Sequence, residues 1–337
     1  MQQLIVNISI SNYTECPWYY FTQVLHNPSF IKTAIGTMIG LIGLITNTIL
    51  LLTILMVGKL RKSSRTLASL SVCGIIFNAA FVLPIHLLPL HQSIQYFVSY
   101  YLLGGRLAML LLVNINLHQC VLGIERWLAV ASPLRYRRYR KSKLVHLTCI
   151  LLWITSLALI SLPLAIRYIM TTSNRHLSIN KFNSLNGTAE QIEKICIQVI
   201  MSTTYILLFI IIISSYTSIL ARVNSSHRKS LFVYSKVKSK YITSVKTIRQ
   251  MIVVTGTFLI LCSPALIVIM SPMIGKIYIT GYNFTVISYY FLISYPSVNP
   301  ILYYYYGRNV RKEIYSAALT RSVRSFNDSK IRDRTTS

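Results

Sequence analysis

Long apolar stretches separated by short charged runs dominate the pattern along this chain. The stretches without a charged residue cover 33–58, 66–105, 107–124, 144–166, 195–221, 250–275 and 277–307. A helix needs about 20 apolar residues to cross a bilayer. The second stretch is longer than one span, and its prolines and the polar run 91–95 divide it into a second helix and the start of a third. The pattern predicts seven membrane-spanning helices, at 31–57, 66–88, 96–131, 144–168, 195–223, 247–272 and 285–306.

The composition supports an all-α membrane protein. Hydrophobic residues make up 53% of the 337 residues and charged residues only 12%, whereas soluble domains carry about 25% charged residues. We therefore expect an N-terminal extracellular tail at 1–30 and a seven-transmembrane helix bundle at 31–306. A short amphipathic eighth helix and a cytoplasmic tail follow at 307–337, because apolar and basic residues alternate at helical spacing at the start of that segment.

The basic residues predict the orientation in the membrane. Of the 34 Lys and Arg residues, 27 lie in the segments 59–65, 126–143, 222–249 and 308–334. Cytoplasmic loops carry the excess of Lys and Arg, so we expect the N-terminus outside and the C-terminus in the cytoplasm of a multi-pass plasma-membrane protein. Anionic lipid of the inner leaflet is a sufficient partner for the net charge of +27, and we expect no nucleic-acid partner.

The third predicted span ends in a charged motif. Glu125, Arg126 and Trp127 stand on its last turns, and Pro133 follows in a run of arginines. An acid and a base at a membrane boundary can simply extend to the interface. That interpretation leaves unexplained both the proline and the matching motifs in other spans.

Two further motifs stand in the last two predicted spans. Phe258 and Pro264 are six residues apart in the sixth span, and Asn299, Pro300 and Tyr303 form an Asn-Pro-x-x-Tyr motif at the end of the seventh. Together with the acid-Arg-aromatic motif, they resemble the rhodopsin-like (class A) G-protein-coupled receptors. The resemblance covers the bundle from the first span to the eighth helix.

The resemblance implies a receptor that transmits an extracellular signal to heterotrimeric G proteins. Arg126 is expected to pair with Glu125 at rest, and a ligand favours outward movement of the sixth span about Pro264. Arg126 then meets Tyr303 and Tyr216, a tyrosine near the inner end of the fifth span. Arrestin and receptor kinases are further expected partners, and no cofactor is implied.

Two more residues match structural positions of the family. Asn47 stands where the family has an asparagine that ties the first, second and seventh spans together. Trp153 matches a tryptophan near the middle of the fourth span.

Four positions depart from the family pattern. They are Gly74 in place of the aspartate of the internal sodium site, Tyr101 in place of the outer cysteine, Leu208 in place of the proline of the fifth span, and Cys262 in place of the tryptophan of the sixth. We expect that sodium does not act as an allosteric ion. We hypothesise a divergent receptor with weak ligand control and basal activity.

Cysteines and sequons on the predicted outer side mark covalent modifications. Only Cys16 and Cys196 fall on that side, so they are the candidate disulfide. The candidate N-glycosylation sites are Asn7, Asn12, Asn186 and Asn283.

The ligand is not readable from the sequence. The predicted outer side has seven basic residues against three acidic ones, which favours an anionic or neutral ligand, and Arg106 could either anchor such a ligand or extend to the interface. We find no nucleophile–base pair, phosphate-binding loop or metal cluster, so we do not expect an enzyme. A non-signalling or scavenging receptor is the alternative, and a membrane transporter is less favoured because no charged or broken paired helices lie at the midplane.

Overall fold

A computed structural model describes residues 30–58, 60, 64–87, 106–173, 179–230, 253–254, 256–271 and 282–306. The described part is helical and contains no strand, which confirms the all-α prediction. In chain order the helices are α1 (Phe30–Met56), α2 (Arg65–Leu87), α3 (Arg106–Ala131), α4 (Pro133–Lys141), α5 (Leu144–Ser173), α6 (Ile179–Ser230), α7 (Gly256–Met270) and α8 (Tyr282–Tyr306).

Five of these helices contain stretches long and apolar enough to cross a membrane. They are Phe30–Met56, Arg65–Leu87, Arg106–Ala129, Leu144–Thr172 and Gln191–Ser215. α7 is a shorter apolar helix, and α8 lies where the seventh span is predicted. The full count of seven spans therefore stays a prediction. The predicted tail at 1–29 and the amphipathic helix after 306 lie outside the described residues.

α3 lies at the centre of the bundle. It packs against α2, α5 and α6, while α8 packs against α1 and α2. In α3 the core includes Leu111, Leu112 and Val113, which are almost fully buried. α1 and α5 instead expose many Ile and Leu side chains on the outside of the bundle, as expected for helices that contact lipid. We refer below to the two ends of the bundle as the Arg106 end and the Arg126 end of α3.

Two segments between predicted spans are helical. The sequence predicts that the fourth span ends at 168 and the fifth begins at 195, but α5 continues to Ser173 and α6 already begins at Ile179. An existing helix extends without a new nucleation cost, and this stretch has no proline to stop it. The basic segment after α3 forms α4, which begins at Pro133, a residue whose fixed backbone angle suits the first turn of a helix.

α2 passes through Pro84 instead of ending there. Pro84 cannot donate a hydrogen bond to the carbonyl one turn earlier, and a π-helical turn at Asn78–Val82 precedes it. A π turn takes up such a mismatch by shifting the hydrogen-bond register. The helix then continues to Leu87.

Glycines set how closely α1 approaches its neighbours. A Cβ added at Gly43 would overlap Ser297 Oγ of α8 and Asn78 Oδ1 of α2. A Cβ added at Gly36 would overlap the ring of His86. Small residues at membrane helix interfaces permit such close packing.

We predict that Gly43→Ala destabilises the bundle by about 1–3 kcal/mol, the usual effect of overpacking a core. Gly123→Ala is the matched control, because its Cβ would meet only Ile211 Cγ2 at 3.8 Å. The measurement is thermal unfolding of both purified variants in one detergent. Equal stability of the two variants would contradict the close approach of α1.

Candidate functional site

At the Arg126 end, the carboxylate of Glu125 is bound by side chains from two other helices. Thr66 Oγ1 of α2 donates a hydrogen bond to Glu125 Oε1 at 2.6 Å. The hydroxyl of Tyr139 on α4 lies 3.5 Å from the same oxygen. Burial raises the pKa of the Tyr139 phenol, so its hydroxyl stays protonated and can donate. The carboxylate therefore has donors other than Arg126.

Arg126 points to a different helix. Its guanidinium carbon lies 4.7 Å from the centre of the Tyr303 ring, within the range of a cation–π interaction. Its Nη2 is buried and makes no hydrogen bond within the described part of the chain. Among the described residues, Glu125 and Arg126 do not form an ion pair, and the pairs present both involve Glu193. The resting-state pair expected from the sequence is thus not formed in this structure.

The proline motif of α8 explains how that helix is held to α1. Pro300 has no N–H, so the carbonyl of Pro296 loses its helical partner. Asn47 Nδ2 donates to that carbonyl at 3.0 Å, and also to Gly43 O at 2.8 Å. Asn299 is buried beside Pro300, and its Oδ1 has no partner. Asn47 thus joins α1 to α8 in this structure.

Polar residues that we did not single out from the sequence extend this contact into a cluster. Ser297 Oγ lies 3.1 Å from Ile39 O and 3.2 Å from Asn78 Oδ1. Thr46 Oγ1 donates to Ser297 O at 3.1 Å. We call Thr46, Asn47, Asn78 and Ser297 the α1–α2–α8 polar cluster. Asn78 and Ser297 are polar residues inside apolar stretches, and that is the signal that could have identified them.

The helix α7, whose outward movement about Pro264 is expected from the sequence, packs against aromatic residues of its neighbours. The ring of Phe258 lies 4.9 Å from Tyr295 on α8 and 5.7 Å from Phe209 on α6, centre to centre. Pro264 is half-buried within α7. Cys262 and Leu208, two of the departures from the family pattern, are fully buried.

Trp153 of α5 belongs to a hydrogen-bonded group with α2 and α3. Its indole Nε1 donates to Ser69 Oγ at 3.2 Å. The buried His118 contacts the same hydroxyl through Nε2 at 2.8 Å. His118 Nδ1 lies 2.9 Å from Asn114 O. Trp153 and His118 are therefore joined through one hydroxyl of α2, and the sequence did not indicate the histidine.

Several buried polar atoms around α3 lack hydrogen-bond partners within the described part of the chain. They belong to Asn114, Asn116, Gln119, Arg126, Tyr205, Tyr295 and Asn299. Tyr303 connects this group to the arginine, because its hydroxyl lies 3.5 Å from Gln119 Oε1. An unpaired buried polar group is costly, so these side chains would gain from a rearrangement that gives them a partner.

The remaining sequence predictions concern residues that the structure describes only in part. Trp127 is half-buried on α3, and Asn283 is exposed in the first turn of α8. Cys196 is half-buried on α6. The side chains of Tyr216 and Asn186, and the residues Cys16, Asn7 and Asn12, lie outside the described part. The disulfide and the glycosylation sites stay predictions.

The arrangement has the helices and polar contacts of a transmembrane receptor, and one family comparison decides its class. The family described as "7 transmembrane receptor (rhodopsin family)" matches residues 46–303. The chain belongs to the rhodopsin family of seven-transmembrane receptors. A search of the curated proteins finds no match to this receptor.

Membership fixes the general class of the receptor. It is a multi-pass membrane protein of a family of receptors, not enzymes, whose members work with ligands and G proteins. Among the described residues, no group of three His, Cys, Asp or Glu side chains could hold a metal ion.

We predict that the receptor does not respond to sodium and that Gly74→Asp does not install a sodium site. A Cβ at Gly74 would overlap the side chain of Asn47, so the aspartate has no space, and a buried unpaired charge costs about 3–5 kcal/mol. The measurement is the melting temperature in sodium chloride against choline chloride at equal ionic strength. Gly74→Ala is the control that separates steric overlap from charge. A sodium-dependent rise in either the wild type or Gly74→Asp would contradict the prediction.

Proposed function

We propose that this receptor carries an extracellular signal to heterotrimeric G proteins by outward movement of α7 about Pro264. The observation that supports this most directly is the position of Arg126, which lies over Tyr303 and is unpaired with Glu125. The guanidinium of Arg126 is therefore already turned toward α8, the helix that carries the Asn-Pro-x-x-Tyr motif.

The bonds of Glu125 favour basal activity. A carboxylate that accepts from Thr66 at 2.6 Å has less to gain from pairing with Arg126. If the resting pair is weakened by about 1.4 kcal/mol, the ratio of active to resting receptor rises tenfold. A ligand then shifts a population that already exists.

Charge supports placing the Arg126 end in the cytoplasm of a plasma-membrane receptor. α4 carries Arg135, Arg137 and Arg138, all exposed, and the positive-inside bias favours the cytoplasmic side for such a segment. Leu134 on the same helix is 82% exposed. We assign this side chain to the G-protein contact because it lies among exposed arginines on the proposed cytoplasmic face. Arrestin and receptor kinases would act at this same face.

We predict that cells expressing the unliganded receptor show basal G-protein activation and that Arg126→Ala removes at least nine tenths of it. The alanine cannot contact Tyr303 or an incoming α-subunit. The measurement is second-messenger output for each main α-subunit class at matched surface expression. Lys143→Ala, which removes an exposed cation before α5, is the control and should retain its output. Output equal to that of empty cells for every class would contradict basal activity and leave a tightly ligand-gated receptor or a non-signalling one.

Leu134→Ala should reduce G-protein activation roughly tenfold without changing thermal stability. The side chain has few contacts within the receptor to lose, whereas burial of a leucine against a partner contributes about 1.5–3 kcal/mol. Leu144→Ala is the matched control, since Leu144 is 56% exposed at the start of α5. An equal loss of G-protein activation in both variants would contradict the proposed contact between Leu134 and the G protein.

A further inference from the structure

The Arg106 end of the bundle contains a charged triad that joins three helices. Arg106 of α3 donates through Nη2 to Glu193 Oε1 at 2.6 Å. Arg167 of α5 donates through Nη1 to Glu193 Oε2 at 2.8 Å. Each carboxylate oxygen thus has its own guanidinium. The sequence indicated only Arg106, because the other two residues come together through the packing of α5 and α6.

Burial is unequally distributed within the triad. The side chain of Glu193 is 4% exposed, whereas those of Arg106 and Arg167 are 46% and 33% exposed. The carboxylate is therefore the inner member, and both guanidiniums remain partly exposed. Each guanidinium has five N–H donors in a rigid fork, so neither is saturated by one carboxylate oxygen.

Charge is also unbalanced. Within the described part of the chain, two arginines surround one carboxylate, which leaves one positive charge uncompensated at this end of α3. A fixed pair of guanidiniums with surplus charge is suited to a planar anion, because the forks match carboxylate geometry. Ordering the two side chains in advance lowers the cost of binding.

We propose that Arg106 and Arg167, held in place by Glu193, anchor the carboxylate of a monoanionic ligand at the outer mouth of the receptor. This inference rests on the proposed function, in which the Arg106 end faces outward. It deepens that function by naming the ligand class and the anchoring residues. Glu193 is a positioning residue, since it acts through the two arginines.

The first experiment measures the melting temperature of the purified full-length receptor in increasing benzoate or propionate. Sodium chloride and the matching amines, benzylamine and propylamine, serve as references at equal ionic strength. We expect a saturable rise of a few degrees with the acids and none with the amines. Arg106→Gln and Arg167→Gln should each abolish the rise. Arg138→Gln, which removes an exposed charge at the opposite end, should keep it.

The second experiment asks whether an external carboxylate can replace the internal one. Glu193→Ala should lower the melting temperature, and acetate should restore it more than chloride at the same ionic strength. Restoration in this variant together with a saturable shift in the wild type supports the site. Restoration without any shift in the wild type would overturn the proposal, because the triad would then be only a structural tie between helices.

Both readouts are independent of G-protein coupling. Acid-dependent stabilisation with no signalling would leave the anion site standing and overturn the proposed coupling. G-protein coupling without any stabilisation of the wild type by the acids would leave the proposed coupling standing and overturn the anion site.

Discussion

One backbone carbonyl without a helical partner explains how the described bundle is closed. Pro300 cannot donate to Pro296 O, and no water is available inside a membrane to replace that donor. Asn47 of α1 supplies it at 3.0 Å, so the first and last described helices are joined where α8 is weakest. Gly74 makes this possible, because any larger side chain there would occupy the space of the Asn47 amide. The glycine in place of the family's aspartate and the position of the Asn47 side chain are thus linked, because the two side chains would occupy the same space.

The position of α8 in turn determines what Arg126 can contact. Held against α1, α8 places the Tyr303 ring 4.7 Å from the guanidinium. Glu125 and Arg126 are neighbours in the sequence, yet successive residues of a helix point about 100° apart. The carboxylate faces α2 and α4 while the guanidinium faces α8. Adjacency in a motif therefore does not imply an ion pair, and the balance between the two arrangements depends on Thr66 and Tyr303.

Much of the fold could be predicted from the sequence because the responsible signals are local. Apolar length predicted α1, α2 and α5 to within a few residues, and Asn47 was assigned by its match to a position of the family. The start of α6 at Ile179 could not be predicted, since hydropathy reports contact with lipid and not where backbone hydrogen bonding ends. Contacts such as Thr66–Glu125 depend on the register between helices, for which a single sequence contains no direct signal.

The two charged ends of α3 suggest how they could be coupled. Arg106 and Arg126 are twenty residues apart on one helix, roughly 30 Å at 1.5 Å per residue. Between them, Asn114, Asn116 and Gln119 carry buried polar atoms that find no partner among the described residues. A small shift of α3 caused by charge compensation at Arg106 would change which donors and acceptors these atoms meet. Ligand binding at one end would then reach Arg126 through the position of α3, the helix that carries both arginines.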